Sequence, residues 1–293
     1  MKKIAIVAAL FALTTAATAQ TTIYGRMNAT IDNTKLGSVT SNGMVNDISH
    51  FGITVREDLG NGLSARAQVE TGINSQNPNG GNDTQFGDRQ STVGLVHRMG
   101  SLDIGRNVHG VFSTLADGDP FGALYGSLVG DIHNLRGLRV SNGVFAKLSP
   151  LPGITAGMDR THTVTGDEVS VFSANGKIGP VDAGIARYEQ GKEKSLVASA
   201  SMKFGNTKLF YSFSDNDGAQ KFQGNMVGAA HKMGAYTAKA SYGRTNKDIT
   251  GWAVGAEYAL SKRTDILVSY RNVDKIAIAN DVKQIGLGIT HRF

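Results

Sequence analysis

Short runs in which apolar and polar residues alternate recur almost from end to end of this 293-residue chain, and that period of two limits the fold more than any other feature. Successive side chains of a strand point to opposite faces, so such runs are strands with two unlike faces. Phe51, Ile53 and Val55 alternate with His50, Gly52, Thr54 and Arg56. After the hairpin turn Gly60-Asn61-Gly62, Leu63, Ala65, Ala67 and Val69 alternate with Ser64, Arg66, Gln68 and Glu70. Beyond residue 138, Val140, Val144, Ala146 and Leu148 alternate with Arg139, Ser141, Phe145 and Lys147. The whole chain yields about sixteen strands, joined alternately by short turns such as Met99-Gly100, Gly179-Pro180 and Gly205-Asn206 and by longer polar connections.

An even strand count, short turns at one end and both chain ends on that side imply an all-β, transmembrane, antiparallel up-and-down β-barrel. A water-soluble barrel is commonly about half this length. Its packed core would also give no reason for strand-borne Arg, Lys and Glu opposite the aliphatics. In the membrane version the apolar face meets lipid and the polar face lines a wet lumen. Trp252, Val254, Ala256 and Tyr258 then face outward, while Gly251, Gly255 and Glu257 face inward. Arg26, Arg56, Arg66, Glu70 and Lys147 fall on the lumen side, the three Arg near short turns.

The first residues set the compartment. Lys2 and Lys3 precede an apolar run from Ile4 to Leu13, and Ala17-Thr18-Ala19 offers a small-residue cleavage site, the plan of a secretory signal peptide over 1–19. The run is too short to span a bilayer, which takes roughly 20 residues. The barrel domain is then 20–293. Without Lys2 and Lys3 the 30 basic residues become 28 against 24 acidic ones, a charge of about +4. These charges are scattered singly rather than gathered in a patch, which argues against a nucleic-acid partner. The absence of cysteine excludes disulfides and thiolate metal sites.

One long stretch breaks the alternation. Asn107 to Leu138 carries Asp117, Asp119 and Asp131, a Pro120 followed by Phe121 and Gly122, and small apolar clusters. A loop this long is functional or disordered, and its Phe, Leu, Tyr and Val content argues for order. It is an ordered insertion that either narrows the lumen or plugs it.

Catalysis finds little support. The best constellation for a hydrolase is His162 with Asp159 and Ser170, without a nucleophile elbow. No cofactor is called for, and no pair of His has chelating spacing; Asp117 and Asp119 could at most hold Ca²⁺ weakly. A closed structural or adhesive barrel is the other alternative.

Along its whole length the chain resembles the sixteen-strand trimeric general diffusion porins of betaproteobacterial outer membranes. The resemblance rests on Thr22-Ile23-Tyr24-Gly25, the segment Glu57 to Leu63, Arg89-Gln90-Ser91-Thr92-Val93-Gly94-Leu95, Gly105-Arg106-Asn107, Leu260-Ser261-Lys262-Arg263-Thr264 and the ending Gly288 to Phe293. It implies that the third extracellular loop, here 107–138, folds into the lumen opposite a basic wall. By local alignment that wall is Arg89 and Arg139, with His50 where the family usually has Arg, which makes the local charge pH-sensitive. His50, Arg89 and Arg139 each begin a descending strand and should lie at similar height. An inward Arg89 implies inward Val93 and Leu95, which needs either contact with the folded-in loop or a bulge. The resemblance further implies passage of small hydrophilic solutes and inorganic ions, contact with outer-membrane lipid and lipopolysaccharide, and a homotrimer with Asn74 to Asp88 reaching a neighbour. It also implies that Phe293 serves as a C-terminal signal to the barrel-assembly machinery. The basic excess implies weak anion preference, which the three loop Asp oppose.

Overall fold

The computed structural model describes residues 19–74, 85–134, 139–162, 168–218, 221–275 and 281–293. The expected signal segment, apart from Ala19, and most of the segment expected to reach a neighbour lie outside the described residues. The first strands are β1 (Gln20–Leu36), β2 (Val39–Val45), β3 (His50–Gly60), β4 (Leu63–Gly72), β5 (Gln90–His97) and β6 (Gly100–Val108). Two short helices, α1 (Gly110–Asp117) and α2 (Val129–His133), follow within the long insertion. Then come β7 (Arg139–Leu151), β8 (Ile154–His162), β9 (Glu168–Ile178), β10 (Val181–Gln190), β11 (Glu193–Phe204) and β12 (Thr207–Asp217). The last are β13 (Phe222–Met233), β14 (Tyr236–Thr245), β15 (Ile249–Ala259), β16 (Thr264–Lys275) and β17 (Val282–Arg292).

Apart from β2 and β3, all pair antiparallel with their neighbours in sequence, and β1 closes the ring on β17 from Arg26↔Arg292 to Leu36↔Val282. The alternation did not predict β2, a Ser/Asn/Gly-rich segment. It pairs with β1 over 30–36, while β3 pairs with β1 over 20–26. β2 and β3 are therefore one stave broken at 46–49, and the barrel is sixteen-stranded. At the seam the Phe293 N–H donates to the Gly25 carbonyl at 3.1 Å, and the Gly25 N–H to the Phe293 carbonyl at 3.0 Å. Closure gives every strand a partner on both sides except β2, whose second edge has none among the described residues; a membrane-spanning sheet requires such closure.

The faces follow the alternation. Ile23, Ile31, Ile104, Leu148, Ile185, Leu287 and Ile289 are exposed on the outside, while Asn28, Thr30, Asp32, Ser199, Ser212 and Ser214 are buried on the inside. This inverts the arrangement of a water-soluble protein. Tyr236 packs at a tilt against Tyr258, ring centroids 4.6 Å apart, near the short-turn end, and Trp252 likewise against Tyr270 at 5.2 Å farther up. Six residue steps, roughly 20 Å along the tilted strand, separate Tyr236 from its strand-mate Tyr242, opposite Trp252, so the two aromatic pairs lie at different heights on the outer face.

The hydrophobic core sits inside the barrel. Val111, Leu115, Phe121, Leu128, Val129 and Ile132 of the insertion cluster with lumen-facing Val171, Val197, Met226, Ala253 and Val273. The insertion is thus packed onto the wall as a core element.

Candidate functional site

The insertion starts where β6 ends. α1 buries Val111, Thr114 and Leu115 against β9, β10 and β11, and the Gly110 N–H donates to Asp159 Oδ2 at 3.1 Å. Gly118 closes the helix, and Pro120, which has no N–H to donate, prevents its continuation. Asp119 then folds the loop on itself. Its Oδ2 accepts the Ala123 N–H at 2.8 Å, and burial raises its carboxyl pKa against the lowering effect of hydrogen bonds from Ser127 and the backbone. α2 buries Val129, Ile132 and His133 and ends at Asn134 in the left-handed region (φ 47). Both ring nitrogens of His133 are bonded, Nδ1 to Ser214 Oγ and Nε2 to Ser212 Oγ, each at 2.9 Å.

Six inward glycines receive the insertion. A Cβ on Gly243 would lie 2.5 Å from Ile132 Cγ1, one on Gly228 2.7 Å from Pro120 Cδ, and one on Gly255 2.9 Å from Phe121 Cε1. At Gly224 it would overlap the Ile132 carbonyl, at Gly286 the Tyr125 ring, and at Gly251 it would press Leu128 at 3.2 Å. The absent side chains form a recess over β13, β14, β15 and β17, and the loop fills it. Glycine weakens a strand but permits this close approach of a second backbone.

Across from the recess, the positions expected to form the basic wall do assemble, around an acid. Glu70 Oε1 accepts Arg89 Nε at 2.6 Å, and its Oε2 accepts the Tyr24 hydroxyl at 3.0 Å. His50 meets the Tyr24 ring edge-on at 6.3 Å, and Arg139 shares its surroundings with Arg89, Glu70 and Arg106. Arg89 reaches inward without turning its strand over. It precedes β5, its N–H donating to the Glu70 carbonyl at 3.1 Å, while Gln90 is the register partner of Glu70. The expectation of inward Val93 and Leu95 is therefore corrected: both are exposed on the outside.

The loop carboxylates do not line up against this wall as expected. Asp119 is buried within the loop. Asp131 pairs at 3.0 Å with Arg271 of β16, behind the loop, and Asp117 is exposed beside Lys208 and Asp182. Gly122 is exposed at the tip, whereas Pro120 and Phe121 are buried. Of the other lumen candidates, Arg66 reaches over β5 to Asp103 Oδ2 at 2.5 Å, through space that a side chain at Gly94 would fill. Arg56 and Lys147 are both exposed. Arg26 is half-buried near Asp47, Arg292 and Asp265. Among the described residues, the Nε atoms of Arg26 and Arg139 are buried with no hydrogen-bond partner.

Asp47, Arg271 and Lys239 were missed from the sequence. The stave break at 46–49 carries Asp47 into the lumen, where its Oδ2 accepts the Tyr125 N–H at 2.6 Å. Neighbouring Ile48 has φ 51, a strained value for a β-branched residue, and Ser49 Oγ accepts the Asn28 N–H at 2.8 Å to hold the break. Burial raises the Asp47 carboxyl pKa, opposed by the Tyr125 hydrogen bond and the positive field of Arg26, Arg89 and Arg271. Lys239 pairs with Glu257 at 2.6 Å and lies 5.9 Å from the centre of the Phe121 ring. The Asn46-Asp47 pair, strong turn formers, was the available signal for the break.

The residues considered for catalysis do not converge. Asp159 pairs in register with Val171 and Ser170 with Arg160, so Asp159 and Ser170 face opposite sides of the sheet. Among the described residues no three carboxylates or imidazoles gather as a metal site, and Asp117 and Asp119 hold separate partners.

The chain matches the Gram-negative porin family over residues 5–275. It is 26% identical to an outer membrane porin protein of Bordetella pertussis over 86% of this chain and 84% of that one. It is 27% identical to the major outer membrane protein P.IB of Neisseria meningitidis over 92% of each. Among solved structures, OmpF of Salmonella typhi superposes with a TM-score of 0.76 at 16% identity, over 93% of this chain and 97% of that one. OmpT of Vibrio cholerae, in a trimer form, gives 0.72 at 12% identity, over 94% and 99%. A closed sixteen-stranded barrel, an inward-folded third loop and a family match over nearly the whole sequence converge on one conclusion: the chain belongs to the Gram-negative porins, non-enzymatic diffusion channels of the outer membrane.

Proposed function

We propose that this porin passes small hydrophilic solutes and inorganic ions with weak anion preference, filtered by size and charge where loop 107–138 faces the wall of His50, Arg89 and Arg139. The observation that carries this reading is the glycine recess. A loop seated in the wall narrows the lumen from one side, whereas a plug would cross it. Weak rather than strong anion preference follows from charge pairing: Arg89, Arg66 and Arg271 each have a carboxylate, while Arg26 and Arg139 have none in contact among the described residues. Lumen fields of this kind set ion preference in channels.

The trimer form of Vibrio OmpT supports a homotrimer. The paired hydrogen bonds of Phe293 with Gly25 support a role for the last residue in barrel assembly, after export directed by the 1–19 signal. Lipid and lipopolysaccharide are the partners of the outer face.

The test is single-channel current of refolded protein in a planar bilayer, with reversal potential under a KCl gradient. Stepwise openings with a potential displaced toward chloride, reduced by Arg139→Ala or Arg26→Ala, are expected. Silence from folded protein would make the chain a closed structural barrel.

A further inference from the structure

Beneath the end of α1, toward the short-turn end of the barrel, lies a cavity of about 410 Å³, within the roughly 300–1,000 Å³ range of small-molecule sites. Its charged lining is balanced: Lys177 from β9, Asp182 from β10, Lys208 from β12 and Asp117 from the last turn of α1. Asn175 and Ser201 add neutral polar groups.

These charges are only loosely paired with one another. Lys177 and Asp182 are direct cross-strand partners, yet they make no ion pair. Lys208 and Asp182 approach only to 4.0 Å, with side chains 39% and 50% exposed. Lys208 is instead held over the Phe210 ring, 5.1 Å from its centre. Two cations and two anions thus point into one water-filled space. A simple anion would satisfy the lysines and oppose the aspartates, and a simple cation would do the reverse. A solute bearing both an ammonium and a carboxylate satisfies both sets.

We propose that this cavity is a transient binding subsite for small zwitterions of the amino-acid and dipeptide class, entered from the short-turn side. The inference rests on the channel reading. A zwitterion places its carboxylate between Lys177 and Lys208 and its ammonium between Asp117 and Asp182. The side of the lumen under the loop thereby delays solutes that the basic wall would pass.

The probe is glycylglycine, added to single open channels in a planar bilayer on the short-turn side, with succinate and putrescine as singly signed controls. Interruptions of the current by glycylglycine that outlast those of both controls are expected. Lys177→Gln and Asp182→Asn should each shorten the interruptions roughly tenfold, the equivalent of one charge-assisted contact. Stepwise openings in plain KCl show that both variants remain folded and open. Channels that conduct but show no glycylglycine interruptions, or interruptions that both variants leave intact, would overturn the subsite while leaving the channel reading standing. Absence of conductance in the parent protein would remove the channel reading, and the subsite with it.

Discussion

Arg89 and Glu70 form an ion pair at 2.6 Å whose side chains are only 13% and 7% exposed, so the central cation of the basic wall carries its own counter-charge. The Tyr24 hydroxyl, donating to the other Glu70 oxygen, fixes the carboxylate in place. The wall is therefore less positive than its count of arginines.

Glu70→Gln should unmask Arg89 and displace the reversal potential under a KCl gradient toward chloride. Arg89→Ala, which leaves Glu70 unopposed, should displace it toward potassium. The double variant should return close to the parent, because the two residues act as a pair. Independent, additive shifts would show that the ion pair does not operate in the conducting state.

Gly224→Ala and Gly243→Leu should unseat α2, since a side chain at either position collides with Ile132. The expected outcome is faster cleavage of the loop by added protease and a noisier open-channel current, with the barrel still closed. A glycine outside the recess, such as Gly43, which has open space around it, provides the control substitution.

His133 makes loop docking pH-dependent. Burial lowers its pKa to about 4 from the ordinary 6.5, so the docked loop holds the ring neutral. An undocked, hydrated ring takes up a proton first as pH falls. Docking should thus be complete above about pH 6.5 and weaken progressively toward pH 4. Protease sensitivity of the loop should rise over that window, and His133→Asn should flatten the profile.

Asp47→Ala should detach the stave break from the loop tip. A hydrogen bond to a charged acceptor contributes about 1.5–3 kcal/mol, and the Tyr125 N–H loses its acceptor in this variant. A lower thermal midpoint together with larger current fluctuations is expected. Asp47→Asn, which keeps an acceptor oxygen, should recover much of both.

The barrel was legible because alternation repeats in every strand, and the insertion because it alone interrupts that pattern. Site geometry was less so. The pairing of Arg89 with Glu70 depends on register at a bulge-like step before β5, which no local pattern encodes. Asp119 read as a pore charge, but its direction is set by hydrogen bonds within the loop. Inward Gly251 and Gly255 were recognised as lumen positions, yet glycine in a strand reads only as weakness until the segment that covers it is seen. Asp47 lay in a segment without alternation, so the stave break that delivers it showed only in the turn-forming pair Asn46-Asp47.

The recess also bears on what the loop is to the barrel. Where Gly224, Gly228, Gly243, Gly251, Gly255 and Gly286 face inward, the wall has surrendered its own side chains, and Ile132, Pro120, Leu128, Phe121 and Tyr125 stand in their stead. The loop is seated in the wall as an inlay is seated in masonry. Cutting it out would not yield the same tube with a wider bore; it would strip the lining from a quarter of the tube and leave bare backbone facing water.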